Sequence, residues 1–167
     1  MEPTVPDLNL DALGIDRTQI GVIIVDHGSK REASNDMLLD VVKMFVDLMD
    51  YAIVEPAHME LAEPSIKTAF DRCVERGAKL VIVHPYFLLP GRHWNQDIPA
   101  LTSEAAEQHK GVRFLVTAPL GIDALMAQIM NKRIQHCLAH SLGQADECDT
   151  CRGTGRCQLR SHSLEAA

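Results

Sequence analysis

The sequence predicts an α/β fold: a mostly parallel four-stranded sheet with helices on both faces, followed by an irregular cysteine-rich tail. Three observations predict it. Apolar runs of strand length alternate with amphipathic stretches of helix length from residue 20 to residue 142. The order reads βαβαβαβα, which right-handed crossovers turn into a parallel sheet. Residues 143–160, GQADECDTCRGTGRCQLR, then lose apolar content, gain Gly and Cys, and have too little to bury to fold on a core of their own.

Residues 1–19 carry Pro3, Pro6 and scattered acids without sustained periodicity, and read as an arm whose LNLDAL stretch packs somewhere on the domain. The run Ile20–Val25 entering Asp26-His27-Gly28-Ser29 reads as a buried strand leading into a tight loop. Leu38, Val41, Val42, Phe45, Val46 and Met49 lay one apolar stripe along a helix that can cover a sheet face. A second strand is expected near Ala52–Met59. Pro64 suits the first turn of a helix whose stripe is Ile66, Ala69, Phe70, Cys73 and Val74, with Gly77 as its stop. Cys73 therefore reads as core. Lys79–Phe87 is a third strand, a helix is expected from about Gln96 to Gln108, Val112–Ala118 gives a fourth strand, and a last helix runs from about Ile122 to Leu142. The domains expected are an arm (1–19), an α/β domain (20–142) and a cysteine-rich tail (143–167) to which the last helix contributes Cys137. The closing SHSLEAA reads as a disordered end.

At 167 residues the chain suits one small domain, with 46% apolar and 4% aromatic residues. A net charge of −7 argues against a nucleic-acid partner, which requires a basic stripe to meet phosphates. No apolar run approaches the roughly 20 residues of a membrane span, and residues 1–20 lack the composition of a signal or transit segment.

Five cysteines are unevenly placed. Cys137, Cys148, Cys151 and Cys157 cluster with spacings of ten, two and five residues, the mark of a metal or redox site in a reducing compartment rather than of a secreted disulfide framework. Four soft thiolates hold either tetrahedral zinc or an iron–sulfur cluster, and spacing does not choose between them. A disulfide or free thiols is the bland alternative. His136 and His140 are candidate substitute ligands, weighed against plain surface residues on the last helix.

Two of the eight histidines, His27 and His93, follow strand ends on what should be one edge of the sheet, where open α/β sheets bind ligands. A neutral imidazole binds a transition metal and also accepts a proton near neutral pH. Glu60, after the second strand, can bring a carboxylate to the same edge as ligand or proton acceptor. Asp97, four residues past His93, stands one helical turn away and can orient its imidazole. Glu63 reads as a helix-start carboxylate, His84 as structural, and His58 as either near the site or facing the sheet edge. Ser29 is not a hydrolase nucleophile, because HGS lacks the G-x-S-x-G elbow.

The segments VIIVDHGSKREASN, VEPAHMELAEPSI and PYFLLPGRHWNQDIP, within about Gly21–Leu142, resemble the small CbiX/SirB-type sirohydrochlorin chelatases of the class II chelatase superfamily. The tail, with IQHCLAH and ADECDTC, is similar to the plant-type ferrochelatase form of that family, which carries a C-terminal iron–sulfur cluster. The resemblance implies a metal-inserting lyase that places Fe²⁺ into sirohydrochlorin in siroheme synthesis. His27 and His93 match the family's metal-handling histidines and Glu60 an acidic position of the same motif. It further implies a [2Fe–2S] cluster on Cys137, Cys148, Cys151 and Cys157, with structural zinc as the alternative. A homodimer follows too, as does plastid stroma for a plant chain whose transit peptide has been removed, and otherwise cytoplasm. Sirohydrochlorin carries eight carboxylates, so the acidic chain needs a local basic rim. Lys30, Arg31 and Arg92 are expected to supply it, with Ser29 and Asp97 counted on the substrate side and backbone N–H groups near Gly28, Ser29 and Gly91 as further donors. Cobalt insertion for corrinoid synthesis, and a metallochaperone or redox-sensing module without turnover, are the competing readings.

Overall fold

A computed structural model describes residues 9–159. The described chain divides into two compact units, one ending at Gly121 and the next beginning at Ile122. The helix expected from Ile122 thus groups with the cysteine segment rather than with the sheet, a boundary earlier than the sequence suggests.

The first unit holds four parallel strands, β1 (Ile20–Asp26), β2 (Ile53–His58), β3 (Leu80–Pro85) and β4 (Arg113–Val116), in the order β2-β1-β3-β4. Between them run α1 (Glu32–Leu48), α2 (Ile66–Glu75) and α3 (Ile98–Ala106). Every strand pair is parallel, and Asp26 of β1 lies opposite His58 of β2. Pro56 is tolerated because β2 is an edge strand, where a missing N–H breaks no ladder on the open side.

The apolar continuity of β1 has a direct cause: it is buried on both faces. Ile23 and Val25 join Ile66, Phe70 and Cys73 of α2 and Ile98 and Ala105 of α3 in one core. Ile20, Val22 and Ile24 meet Leu38 and Val42 of α1 in the other. Each fully buried Val, Leu, Ile or Phe among them contributes about 1.5–3 kcal/mol. Gly21 is required by close packing, since a Cβ there would lie 2.9 Å from Cβ of Cys73. In the arm, Leu10 and Ile15 pack against the second core, as expected of part of LNLDAL. Residues 1–8 and the expected disordered end lie outside the described residues.

Three expectations shift. Val46 and Met49 of the α1 stripe are exposed. Among the described residues of this unit α1 faces its side of the sheet alone, so the flanks of its stripe have no neighbouring helix. α2 begins at Ile66, with Ser65 as its cap accepting from Thr68 N–H at 3.3 Å. Pro64 is not in the first turn because its carbonyl accepts from His58 N–H at 2.7 Å, which commits it to the sheet edge. Glu63 behaves as read: its carboxylate accepts from Ser65 N–H at 2.7 Å and from the Thr68 hydroxyl at 3.0 Å, bonds that hold it below the ordinary carboxylate range. Finally, helix starts at His93 rather than near Gln96, through a π-helical turn (His93–Asp97) that runs directly into α3. Pro99, with no N–H to give to the carbonyl one turn back, favours this wider turn.

In the second unit α4 (Ala124–Ser141) is capped by Asp123, which accepts from Leu125 N–H at 2.8 Å, and the cysteine segment follows. Among the described residues no helix is long and apolar enough to cross a membrane.

Burial pushes the Cys73 thiol up to about 12, with a smaller contribution from Glu55. The thiolate is the reactive form, so a thiol-specific reagent at pH 8 should leave Cys73 unmodified in the chelator-treated native protein and modify it on denaturation. Modification of all five cysteines before unfolding would contradict this core.

Candidate metal and macrocycle site

The parallel sheet brings three loops to the carboxyl edge of its strands. The first leaves β1 at Asp26. Its carboxylate Oδ1 accepts from Gly28 N–H at 2.9 Å and from Nδ1 of His58 at 2.6 Å. Ser29 and Asn35 exchange two bonds of 2.9 Å, from Ser29 N–H to the Asn35 amide oxygen and from the Asn35 amide to the Ser29 carbonyl. The Ser29 hydroxyl accepts from Arg31 N–H, so it serves the turn into α1.

The second loop follows β2 and is stitched to the first. Met59 N–H donates to the Asp26 carbonyl at 2.8 Å, and Glu60 N–H to that of His27 at 3.1 Å. Gly28 has φ +83°, and a Cβ there would lie 2.0 Å from the Glu60 carbonyl oxygen. Glycine is therefore needed for both conformation and approach. The third loop is held at both ends: Tyr86 N–H bonds the Val25 carbonyl, Leu120 N–H the Phe87 carbonyl, and Trp94 Nε1–H the Thr117 carbonyl at 2.8 Å.

These loops bring His27, Glu60 and His93 together. Nε2 of His27 is 2.8 Å from Oε1 of Glu60. The His27 and His93 rings meet edge to face with centroids 5.3 Å apart, and Phe87 stacks on the far side of His93. Nδ1 of His27 lies 3.1 Å from the Gly28 carbonyl. A carbonyl only accepts, so Nδ1 carries the hydrogen and Nε2 is the nitrogen for a proton or a metal. Nδ1 of His93 is 2.8 Å from Oδ2 of Asp97, which likewise turns Nε2 of His93 outward as a lone pair. Asp97 thus orients the imidazole, as its spacing suggests. Arg92 Nε is 3.8 Å from the other Asp97 oxygen.

An open cavity of about 640 Å³ is lined by Glu60, Arg92, His93 and Asp97 together with Met59, Ala100 and Leu101. His27 is not among its lining residues but contacts two that are, Glu60 and His93. Ser29, Lys30 and Arg31 are not among its lining residues, and Lys30 and Arg31 are exposed. His84 is structural: it bonds the Thr117 hydroxyl at 2.8 Å, and burial lowers its pKa. His58 and Asp26 take part in the site's framework. A signal for them existed, since two polar residues end adjacent strands.

In the second unit the thiols run in a row, Cys148–Cys151 at 3.2 Å, Cys151–Cys157 at 3.0 Å and Cys157–Cys137 at 3.8 Å between sulfurs. The segment is tied to α4 by an Arg133–Asp149 ion pair of 2.8 Å. His136 and His140 also hold it, bonding the carbonyls of Asp146 and Ala145, so both rings serve the backbone rather than the sulfurs. Donating its S–H to Cys157 and Cys148 keeps the Cys151 thiol protonated and pushes it up to about 12, whereas accepting from Cys151 and from backbone N–H groups draws Cys148 down. Among the described residues no three His, Cys, Asp or Glu side chains close around one point as a metal cage. The donor chemistry nevertheless fits a thiolate-bound metal. Four sulfurs lie in one contiguous set, the donor type that thiolate-bound zinc or an iron–sulfur cluster takes.

A family model described as CbiX matches residues 21–137. The chain belongs to the CbiX family. It is 59% identical over 143 residues to a chloroplastic sirohydrochlorin ferrochelatase of Arabidopsis thaliana, an alignment covering 86% of this chain and 64% of that protein. It is 30% identical over 124 residues to a sirohydrochlorin cobaltochelatase of Sulfurisphaera tokodaii, covering 72% of this chain and 96% of the relative. The sirohydrochlorin chelatase SirB from Bacillus subtilis subspecies spizizenii, solved in complex with cobalt, superimposes with a TM-score of 0.67 at 27% identity, covering 70% of this chain and 50% of that one. The chain therefore spans just under two thirds of the Arabidopsis relative and half of the SirB neighbour.

Loss of the carboxylate that orients a metal-binding imidazole typically costs about 10–100-fold in affinity or activity. Asp97→Ala should accordingly weaken Co²⁺ binding in the fraction that depends on His93 by that factor, measured by isothermal titration, with the circular dichroism spectrum unchanged.

Proposed function

We propose that this chain is a sirohydrochlorin ferrochelatase that inserts Fe²⁺ into sirohydrochlorin to form siroheme, a lyase reaction. The observation that carries this reading is the meeting of His27, Glu60 and His93 over one open cavity at the strand ends. The relatives named for sirohydrochlorin chelation support it.

Insertion exchanges one divalent ion for two pyrrole N–H protons. Nε2 of His27 and Nε2 of His93 are the ligands offered to the incoming ion in place of water. A proton and a metal compete for the same His27 lone pair, so any proton held there leaves to solvent when the ion binds, and Glu60 stays free as an acceptor. Asp97 holds the His93 ring throughout. Arg92, on the cavity wall, is placed to meet a substrate carboxylate. Lys30, Arg31 and Ser29 belong to the outer rim, where exposed charges attract an anion more than they hold it.

The reading extends to a pair of identical chains enclosing one macrocycle, supported by a match to half of the SirB neighbour. It extends to plastid stroma, supported by the chloroplastic relative. It also extends to a [2Fe–2S] cluster held by Cys137, Cys148, Cys151 and Cys157. Bound there, such a cluster would supply one-electron redox chemistry and a covalent staple. Insertion is assigned to His27, His93 and Glu60, and the cysteine segment is assigned a stabilising or regulatory role.

The reaction is tested by anaerobic, absorbance-followed insertion of Fe²⁺ and Co²⁺ into sirohydrochlorin. The intact protein should accelerate insertion, while folded His27→Ala and His93→Ala variants should fall by about 10²-fold or more, the scale of losing acid–base assistance. A faster rate with Co²⁺ would favour the cobalt enzyme, and no acceleration would favour a metal-carrying module. For the cysteines, oxygen-free purification should give two irons and two acid-labile sulfides per chain, both lost in Cys148→Ser/Cys151→Ser. One zinc without sulfide would replace the cluster by a structural ion.

A further inference from the structure

His58 is a buried ionisable group to which the insertion chemistry assigns nothing. It is 2% exposed, sits at the last position of an edge strand, and points its Nδ1 at Asp26 of the neighbouring strand, 2.6 Å away. We propose that His58 and Asp26 form a clamp that positions His27 and Glu60 for metal transfer, His58 acting through Asp26 as a positioning residue. The proposal rests on the chelatase reading and deepens it.

Four observations converge on the pair. The same Asp26 oxygen that accepts from His58 accepts from Gly28 N–H at 2.9 Å, so one carboxylate fixes the backbone on both sides of His27. The Asp26 carbonyl accepts from Met59 N–H, and the His27 carbonyl from Glu60 N–H, so the backbone that bears His58 is sewn to the backbone that bears His27. At the other end of its loop, His58 N–H takes the Pro64 carbonyl at 2.7 Å, closing residues 59–63 into a short arch that carries Glu60. The crossing leaves no slack, because even a methyl group on Gly28 would reach within 2.0 Å of the Glu60 carbonyl. The 2.8 Å approach of Nε2 of His27 to Glu60 is the product of this stitching. A short bond from a buried donor holds its geometry better than one between two solvated groups, since water cannot easily replace the acceptor at the His58 side. The neighbouring His27 and Glu60 side chains are about half exposed and have little packing of their own to hold them.

The clamp separates positioning from stability through two replacements of His58. Phenylalanine fills the buried space and donates nothing, whereas asparagine underfills it but places an amide N–H near the position of Nδ1. Co²⁺ is titrated into the full-length protein, and the site is defined as the component of binding that His27→Ala removes and that lacks thiolate-to-cobalt charge-transfer absorption. His58→Phe should weaken that component about tenfold or more, and His58→Asn should recover most of it even where its thermal midpoint is lower. In the insertion assay His58→Phe should lower kcat and leave the KM for sirohydrochlorin near that of the intact protein, because Arg92, placed to meet a substrate carboxylate, stands on the loop after β3 and outside the clamp. Co²⁺ affinity that follows thermal stability, or a His58→Phe protein that binds as tightly as the intact one, would overturn the clamp. If His58→Phe does not fold, Asp26→Ala, at a partly exposed carboxylate, takes its place with the same expected loss. Absence of any His27-dependent component in the intact protein would instead remove the chelatase site itself, and the clamp with it.

Discussion

The parallel pairing of β1 between β2 and β3 is the constraint on which the rest depends. A strand buried on both faces and flanked on both sides has no freedom to slide, because a shift of one residue would turn its apolar side chains from one core to the other and break two ladders. The end of β1 is thereby fixed, and with it the point at which Asp26 and His27 emerge. The neighbouring strands deliver the other groups at the same level, since parallel strands end on the same edge. Glu60 follows β2 and His93 follows β3. The site is assembled by strand register first and by loop hydrogen bonds second.

Under the proposed chelatase reading, this order lets the two imidazoles share the work of an exchange reaction. Each has its Nδ1 committed to an acceptor, a backbone carbonyl for His27 and a carboxylate for His93. Each therefore presents Nε2. Their partners differ: Asp97 anchors the His93 ring through Nδ1, while Glu60 lies against the other nitrogen, Nε2, of His27. A substrate ion must be held and then surrendered. One firmly oriented ligand beside one whose lone pair alternates between proton and metal suits that requirement better than a closed cage.

Much of this was legible in the sequence because strand-length apolar runs and strand-end polar residues are local features. His27, Glu60 and His93 could be found from their places after apolar runs, and the His93–Asp97 relation from a spacing of four. What sequence could not show is geometry across strands. The partnership of His58 with Asp26 depends on register, and the crossing of Gly28 over Glu60 on two loops meeting in space. Pro64 illustrates the same limit: its helix-start signal is real, but a carbonyl claimed by His58 holds it outside the helix. The exposed flank of the α1 stripe shows that periodicity tells which face is apolar and not how much of it another element covers.

The cysteine segment obeys a different logic. It has almost no apolar material, and its ties to α4 include an ion pair and backbone bonds from two histidines, beside the row of sulfurs. Glycines 153 and 155 take positive φ, so the chain between Cys151 and Cys157 turns back on itself without side chains to pack. Such a segment gains little from burial to offset the entropy of ordering it. The thiols shift in opposed directions: ionising Cys148 is eased by donors around it, but ionising Cys151 beside it is resisted. Like charges at 3.0–3.2 Å cannot all form unless a cation lies among them. A metal centre at these sulfurs would relieve that repulsion and close the loop in one step, so the order of the tail and its metal content should rise and fall together while the strand-end site keeps its own geometry.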